Sequence, residues 1–144
     1  MRMIPSVVYR FQSRAEENLF PKFKDCEISN AVTMHSLNLP EHQYKQWGEA
    51  DFVVISPRGV LVIEVKGGGV VCREDGIWIY TNRFGKEHKN SEGPYQQARS
   101  ARVALQDRLK KMLDDSLTKK INFGFGVMFP DVLFDINSVE IPVQ

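Results

Sequence analysis

The chain has 144 residues, enough for one domain of ordinary size with a single continuous core. Apolar residues make up 42% and charged residues 26%, which excludes a disordered chain, and no apolar run approaches the roughly 20 residues needed to span a bilayer. A formal charge of +1 excludes a strong overall basic field, so any nucleic-acid binding must rest on local clusters.

Met1 to Tyr9 carries one arginine and no apolar segment followed by a small-residue cleavage site, so the expected compartment is the cytoplasm. Ser13 caps a predicted helix starting at Arg14, with Glu16 at the third position of a capping box. Ala15, Leu19, Phe20 and Phe23 recur at helical spacing, and Pro21 is expected to kink or end the helix. Glu16 lies on the apolar stripe and Glu17 does not. Ile28 to Leu39 reads as a strand, and Pro40 to Trp47 as a polar loop.

Two β-branched runs follow, Asp51 to Ile55 and Val60 to Val65, separated by Ser56-Pro57-Arg58-Gly59, a sequence suited to a type I turn. After Gly67-Gly68-Gly69, a second hairpin pairs Val70 to Arg73 with Ile77 to Tyr80 across a D-G turn. The glycine run lacks the Gly-Lys-Ser/Thr of a phosphate-binding loop and reads as a place of close approach. Thr81 to Gly93 is expected to be a loop. Pro94 opens a helix to about Leu113, with Ala98, Ala101, Leu105, Leu109 and Met112 on its apolar face. Ile121 to Phe129 is a last strand, in which Gly124 and Gly126 permit close packing. Ser138 to Gln144 begins what could be another element, so the chain is read as a single domain over 1–144, core about 13–130, that could lead a longer polypeptide. The order predicts an α/β fold, a mixed sheet flanked by helices.

The chemistry concentrates in the first hairpin. If its turn is centred between Pro57 and Arg58, paired residue numbers sum to 115 and Asp51 faces Glu64. Facing side chains have Cβ atoms about 4.5–5.5 Å apart, where like charges repel. Lys66 shares a face with Glu64, because side chains alternate along a strand. Two carboxylates on apolar strands are costly unless neutralised, and a divalent cation such as Mg²⁺ neutralises them well. The bland alternative is a Glu64–Lys66 surface ion pair with Asp51 merely opening a strand.

The strings Gly48-Glu49-Ala50-Asp51-Phe52-Val53-Val54 and Gly59-Val60-Leu61-Val62-Ile63-Glu64-Val65-Lys66-Gly67 resemble the nuclease-related domain family, NERD, of the restriction-endonuclease-like superfamily with its D…E-x-K motif. Ser13-Arg14-Ala15-Glu16 resembles the family's first helix, and Gly93-Pro94-Tyr95-Gln96-Gln97-Ala98-Arg99 its P-x-x-Q-A segment. Gly93 stands where the family often has Asn, and Ala50 where the superfamily name has Pro. The resemblance implies an α-β-β-β-α-β core and Mg²⁺-dependent hydrolysis of DNA, with Mn²⁺ as the alternative ion, in DNA processing or defence. It implies that Asp51, Glu64 and the Val65 carbonyl ligate the metal. Lys66 would position or deprotonate the attacking water or stabilise transition-state charge. Glu16 would complete the metal shell, directly or through water, and Gln97 would orient Lys66 or contact the phosphate. The residues alone leave Glu16 open as a capping carboxylate and Gln97 as a backbone-bonded buried amide.

Outside this set, Arg83, Lys86 and Lys89, with His88, form a basic loop that could meet DNA phosphates. Trp78 is expected to pack in its hairpin rather than stack on bases. His35, His42 and His88 show no ligand spacing and read as incidental, and Cys26 and Cys72 read as reduced thiols. The rival reading is a non-cleaving nucleic-acid-binding or regulatory module of a larger protein, such as one carrying a helicase.

Overall fold

A computed structural model describes residues 1–42 and 45–133, with side chains outside 40–47. The order is β1 (Arg2–Ile4), α1 (Arg14–Asp25), β2 (Val32–His42), β3 (Lys45–Ser56), β4 (Gly59–Val65), β5 (Gly69–Cys72), β6 (Trp78–Thr81), β7 (Glu87–Asn90), α2 (Pro94–Met112), α3 (Asp115–Thr118) and β8 (Phe123–Met128). Five strands form a mixed sheet in the order β1-β2-β3-β4-β8, and β5-β6-β7 form a separate antiparallel sheet.

Strand β4 sits between β3 and β8 and reads Val-Leu-Val-Ile because both of its faces are covered. On one face Ala15, Leu19 and Phe20 of α1 pack against Phe52, Val54, Ile63 and Val65. On the other, Ala101, Ala104 and Leu105 of α2 pack against Val53, Val60 and Val62. This is a mixed α/β fold consistent with a restriction-endonuclease-like core. Among the described residues no helix is long and apolar enough to cross a membrane.

Several sequence expectations need correction. Pro21 does not end α1, which continues to Asp25. Pro21 is exposed, so the lost hydrogen bond lies on the wetted side, and burial of Leu19 and Phe20, worth about 1.5–3 kcal/mol each, offsets a proline cost of about 3 kcal/mol. The expected loop at 40–47 is strand: Pro40 pairs with Trp47 and His42 with Lys45. Polar side chains do not prevent two antiparallel backbones from bonding. The expected loop at 81–93 contains β7, in which Lys89 pairs with Ile79 and His88 with Tyr80. Its residues Glu87, His88 and Lys89 are exposed, so β7 carries no burial signal and its charges suit a sheet edge. Met112 is 69% exposed at the end of α2 and does not join its apolar face. A Cβ on Gly124 would come within 3.2 Å of Leu61, whereas Gly126 has open space, so only the first glycine serves close packing. β1 and α3 gave no sequence signal, and the expected element at 138–144 lies outside the described residues.

Candidate active site

The register of the first hairpin follows the expected sum, with Phe52 opposite Ile63 and Val53 opposite Val62. The ladder stops at that point, and Asp51 and Glu64 stand one step beyond it. On its other side Asp51 is also skipped: His35 pairs with Phe52 and Leu37 with Ala50, leaving Ser36 and Asp51 out of register contact. Ser36 adopts a left-handed backbone with φ of 58°. Met34 and Leu37, three apart, both pack toward α2, as do Ala50 and Val53. Both strands therefore switch faces at this place, and a paired kink leaves the Asp51 carboxylate free of strict alternation.

That carboxylate turns to β4 and accepts the Val65 N–H at 2.7 Å. Next to it, Glu64 is buried and takes the Lys66 Nζ at 2.5 Å. Burial, reinforced by Glu64, pushes Asp51 up from an ordinary 3.8 to about 7, against the pull of the Val65 hydrogen bond. Burial also raises Glu64, opposed mainly by Lys66. Lys66 lies 5.7 Å from the centre of the Tyr80 ring, so the small sheet contributes one wall beside the lysine. Val65 ends β4 opposite Met128, and the Lys66 N–H donates to the Met128 carbonyl at 3.0 Å.

Glu16 faces inward and Glu17 outward, as the helical spacing requires. The Glu16 N–H donates to Ser13 Oγ at 3.2 Å, and Ser13 Oγ donates to the Glu16 carboxylate at 2.7 Å. The other Glu16 oxygen meets His35 Nε2 at 3.0 Å. The capping and inward-facing roles thus coexist, and Glu16 is near enough to raise both Asp51 and Glu64 electrostatically. His35 was not expected to matter. It is buried, with Phe11, Phe20 and Phe52 ring centres 5.4, 5.6 and 4.9 Å away. Its position opposite Phe52 in the β2–β3 register would have revealed it, had that register been legible.

Gln97 stands in the first turn of α2 and reaches the Glu92 carbonyl at 3.4 Å, the backbone-bonded alternative left open by the sequence. Glu92, just before this helix, is a further carboxylate that raises Glu64 and had no sequence signal. Glu49 gathers the Gln12 amide at 2.6 Å and the Ser36 hydroxyl, bracing the kink. The glycine run admits close approach by the protein itself: a Cβ on Gly67 would meet Ala15 at 2.7 Å, and one on Gly68 the Thr81 carbonyl at 2.3 Å. Arg83, Lys86 and Lys89 are all exposed; Arg83 and Lys86 lie in the loop between β6 and β7, as expected, whereas Lys89 lies on β7 itself, paired with Ile79. Trp78 is fully buried in its small sheet.

A helix-flanked mixed sheet with an acidic pair and a lysine at a strand break is consistent with a restriction-endonuclease-like class of domain. Within that class, the chain belongs to the nuclease-related domain family (NERD), whose model matches residues 12–127. No curated protein and no solved structure matches it.

Proposed function

We propose that this domain is a Mg²⁺-dependent nuclease that hydrolyses DNA phosphodiester bonds. The observation that carries the reading is the crowding of Asp51 and Glu64 in a buried corner, where Asp51 holds its proton up to about pH 7. Neighbouring carboxylates that resist ionisation are suited to a divalent cation. Among the described residues no three His, Cys, Asp or Glu side chains form a ready-made cage. Two carboxylates fit Mg²⁺, which completes its shell with water and substrate phosphate, better than a closed structural site.

Asp51, Glu64 and the Val65 carbonyl would hold the ion. Bound Mg²⁺ supplies Lewis-acid activation of water and charge neutralisation at the phosphate. Lys66, steadied by Glu64, orients the attacking water and offsets charge on the pentacovalent transition state. Glu16, tied to Ser13 and His35, acts from the rim and adds negative potential that favours cation entry. Gln97 sits at the start of α2, where it can meet a phosphate oxygen if it leaves the Glu92 carbonyl.

The test is incubation of the protein with DNA and Mg²⁺ beside Asp51→Ala and Lys66→Ala. Each substitution is expected to lower the rate by about a hundredfold or more, as loss of one transition-state contact does. Equal rates in all three proteins would remove catalysis from this hairpin.

A further inference from the structure

The β6–β7 hairpin presents an aromatic ring for which the fold has no use. Phe84 is 78% exposed at the tip. Its backbone is nevertheless fixed. The Asn82 side chain accepts the Phe84 N–H at 2.9 Å and the Lys86 N–H at 3.0 Å, and Gly85 turns the chain at φ of 75°. The Arg83 guanidinium lies 4.6 Å from the Phe84 ring centre and holds one side of it. A rigid tip displaying an aromatic ring beside a cation fits a flat, anionic ligand.

The hairpin also leads to the active site. Tyr80, against Lys66, is four residues from Phe84, at most about 14 Å of extended backbone. Two adjoining clefts, of about 700 and 370 Å³, share Gly67, Thr81 and Asn82. The larger adds Arg14 and Arg83, balanced in part by Asp131. The smaller adds Lys86 and His88, balanced in part by Glu87. Arg14, Arg83 and Lys86 therefore line the way from the tip to Gly67, the residue after Lys66.

We infer that the β6–β7 hairpin is a single-strand grip, in which Phe84 stacks on an unpaired base while Arg83, Lys86 and Arg14 take the phosphates leading toward Lys66. This rests on the nucleic-acid reading above and narrows its substrate to DNA with a single-stranded stretch or frayed end. Duplex bases are already stacked on one another, so an aromatic ring engages them only by unstacking a step, whereas an unpaired base offers its face directly.

Binding is measured without Mg²⁺, in EDTA, by fluorescence anisotropy with labelled oligothymidylate and with a blunt duplex of equal length. Phe84→Ala, at an exposed site, is expected to weaken oligothymidylate binding about tenfold or more and to change duplex binding by less than about twofold. Arg83→Ala and Lys86→Ala are expected to weaken both ligands and to flatten the salt dependence by about one unit of slope or less each. Oligothymidylate binding by Phe84→Ala within about twofold of wild type, as for a tip that docks a protein, overturns the inference, and so does a wild type that binds neither DNA. Because these measurements contain no metal, a Phe84-dependent grip in a protein that cleaves nothing would leave the inference standing and remove the nuclease reading. Cleavage with an indifferent Phe84 would do the reverse.

Discussion

Asp51 is held between two demands. Its carboxylate is half-buried beside Glu64, which favours the proton, yet it accepts the Val65 N–H, which favours the charge. Burial wins. Because the folded pKa lies above the ordinary value, the native state binds the proton more tightly than the unfolded chain between about pH 4 and 7. The stabilising contribution of this group is therefore complete below about pH 4 and lost as pH rises through about 7. Asp51→Asn keeps an oxygen for the Val65 N–H and removes the charge. Without metal, it is expected to melt several degrees above wild type at pH 8, with the gap closing toward pH 4. Mg²⁺ is expected to raise the wild-type melting temperature at pH 8 and leave Asp51→Asn nearly unmoved. Parallel melting curves for the two proteins across this range would contradict the account.

At the scale of elements, α1 and β2 are joined by a polar contact inside an aromatic cage, Glu16 to His35. His35→Leu leaves Glu16 with Ser13 alone and is expected to lower stability by about 1–3 kcal/mol, the cost of an unsatisfied buried group. His35→Gln keeps a donor and is expected to recover part of the loss in a urea titration. Equal losses in both would mean that ring packing, not the hydrogen bond, sets the role of His35. The half of this contact on α1 was legible, because helical spacing separates Glu16 from Glu17 within four residues of sequence. The other half was not, since His35 is placed opposite Phe52 by β2–β3 pairing, and the 40–47 segment through which that ladder continues read as loop, leaving the register open. The same distinction explains the hairpins. Pro57 to Gly59 and the D-G turn at Gly76 sit between β-branched runs, and both were legible. β7 has only pairing to hold it, and its signal was local turn chemistry, Asn82 with Gly85, rather than periodicity.

For the whole molecule, the main sheet and the small sheet meet at Lys66 to Gly69. Gly68 has φ of 76°, and its N–H donates to the Asp131 carboxylate at 2.7 Å. A side chain there strains the backbone and collides with the Thr81 carbonyl. Gly68→Ala is expected to cost about 2 kcal/mol or more in chemical denaturation, whereas Gly126→Ala, with open space around it, should cost far less. Comparable losses would show that this junction bears no special constraint. The glycine run announced a close approach in the sequence. What approaches, Ala15 on one side and Thr81 on the other, depends on how two sheets dock, which no local pattern encodes.

The Val65 amide has one more consequence. It donates to the Asp51 carboxylate at the end of the β3–β4 ladder. Its proton therefore senses the charge on that carboxylate directly. In a nitrogen-resolved spectrum this single backbone resonance should move as Asp51 titrates and move again when a cation draws electron density from the same oxygens. The protein carries, in its own main chain, a reporter of whether the site is empty, protonated or filled.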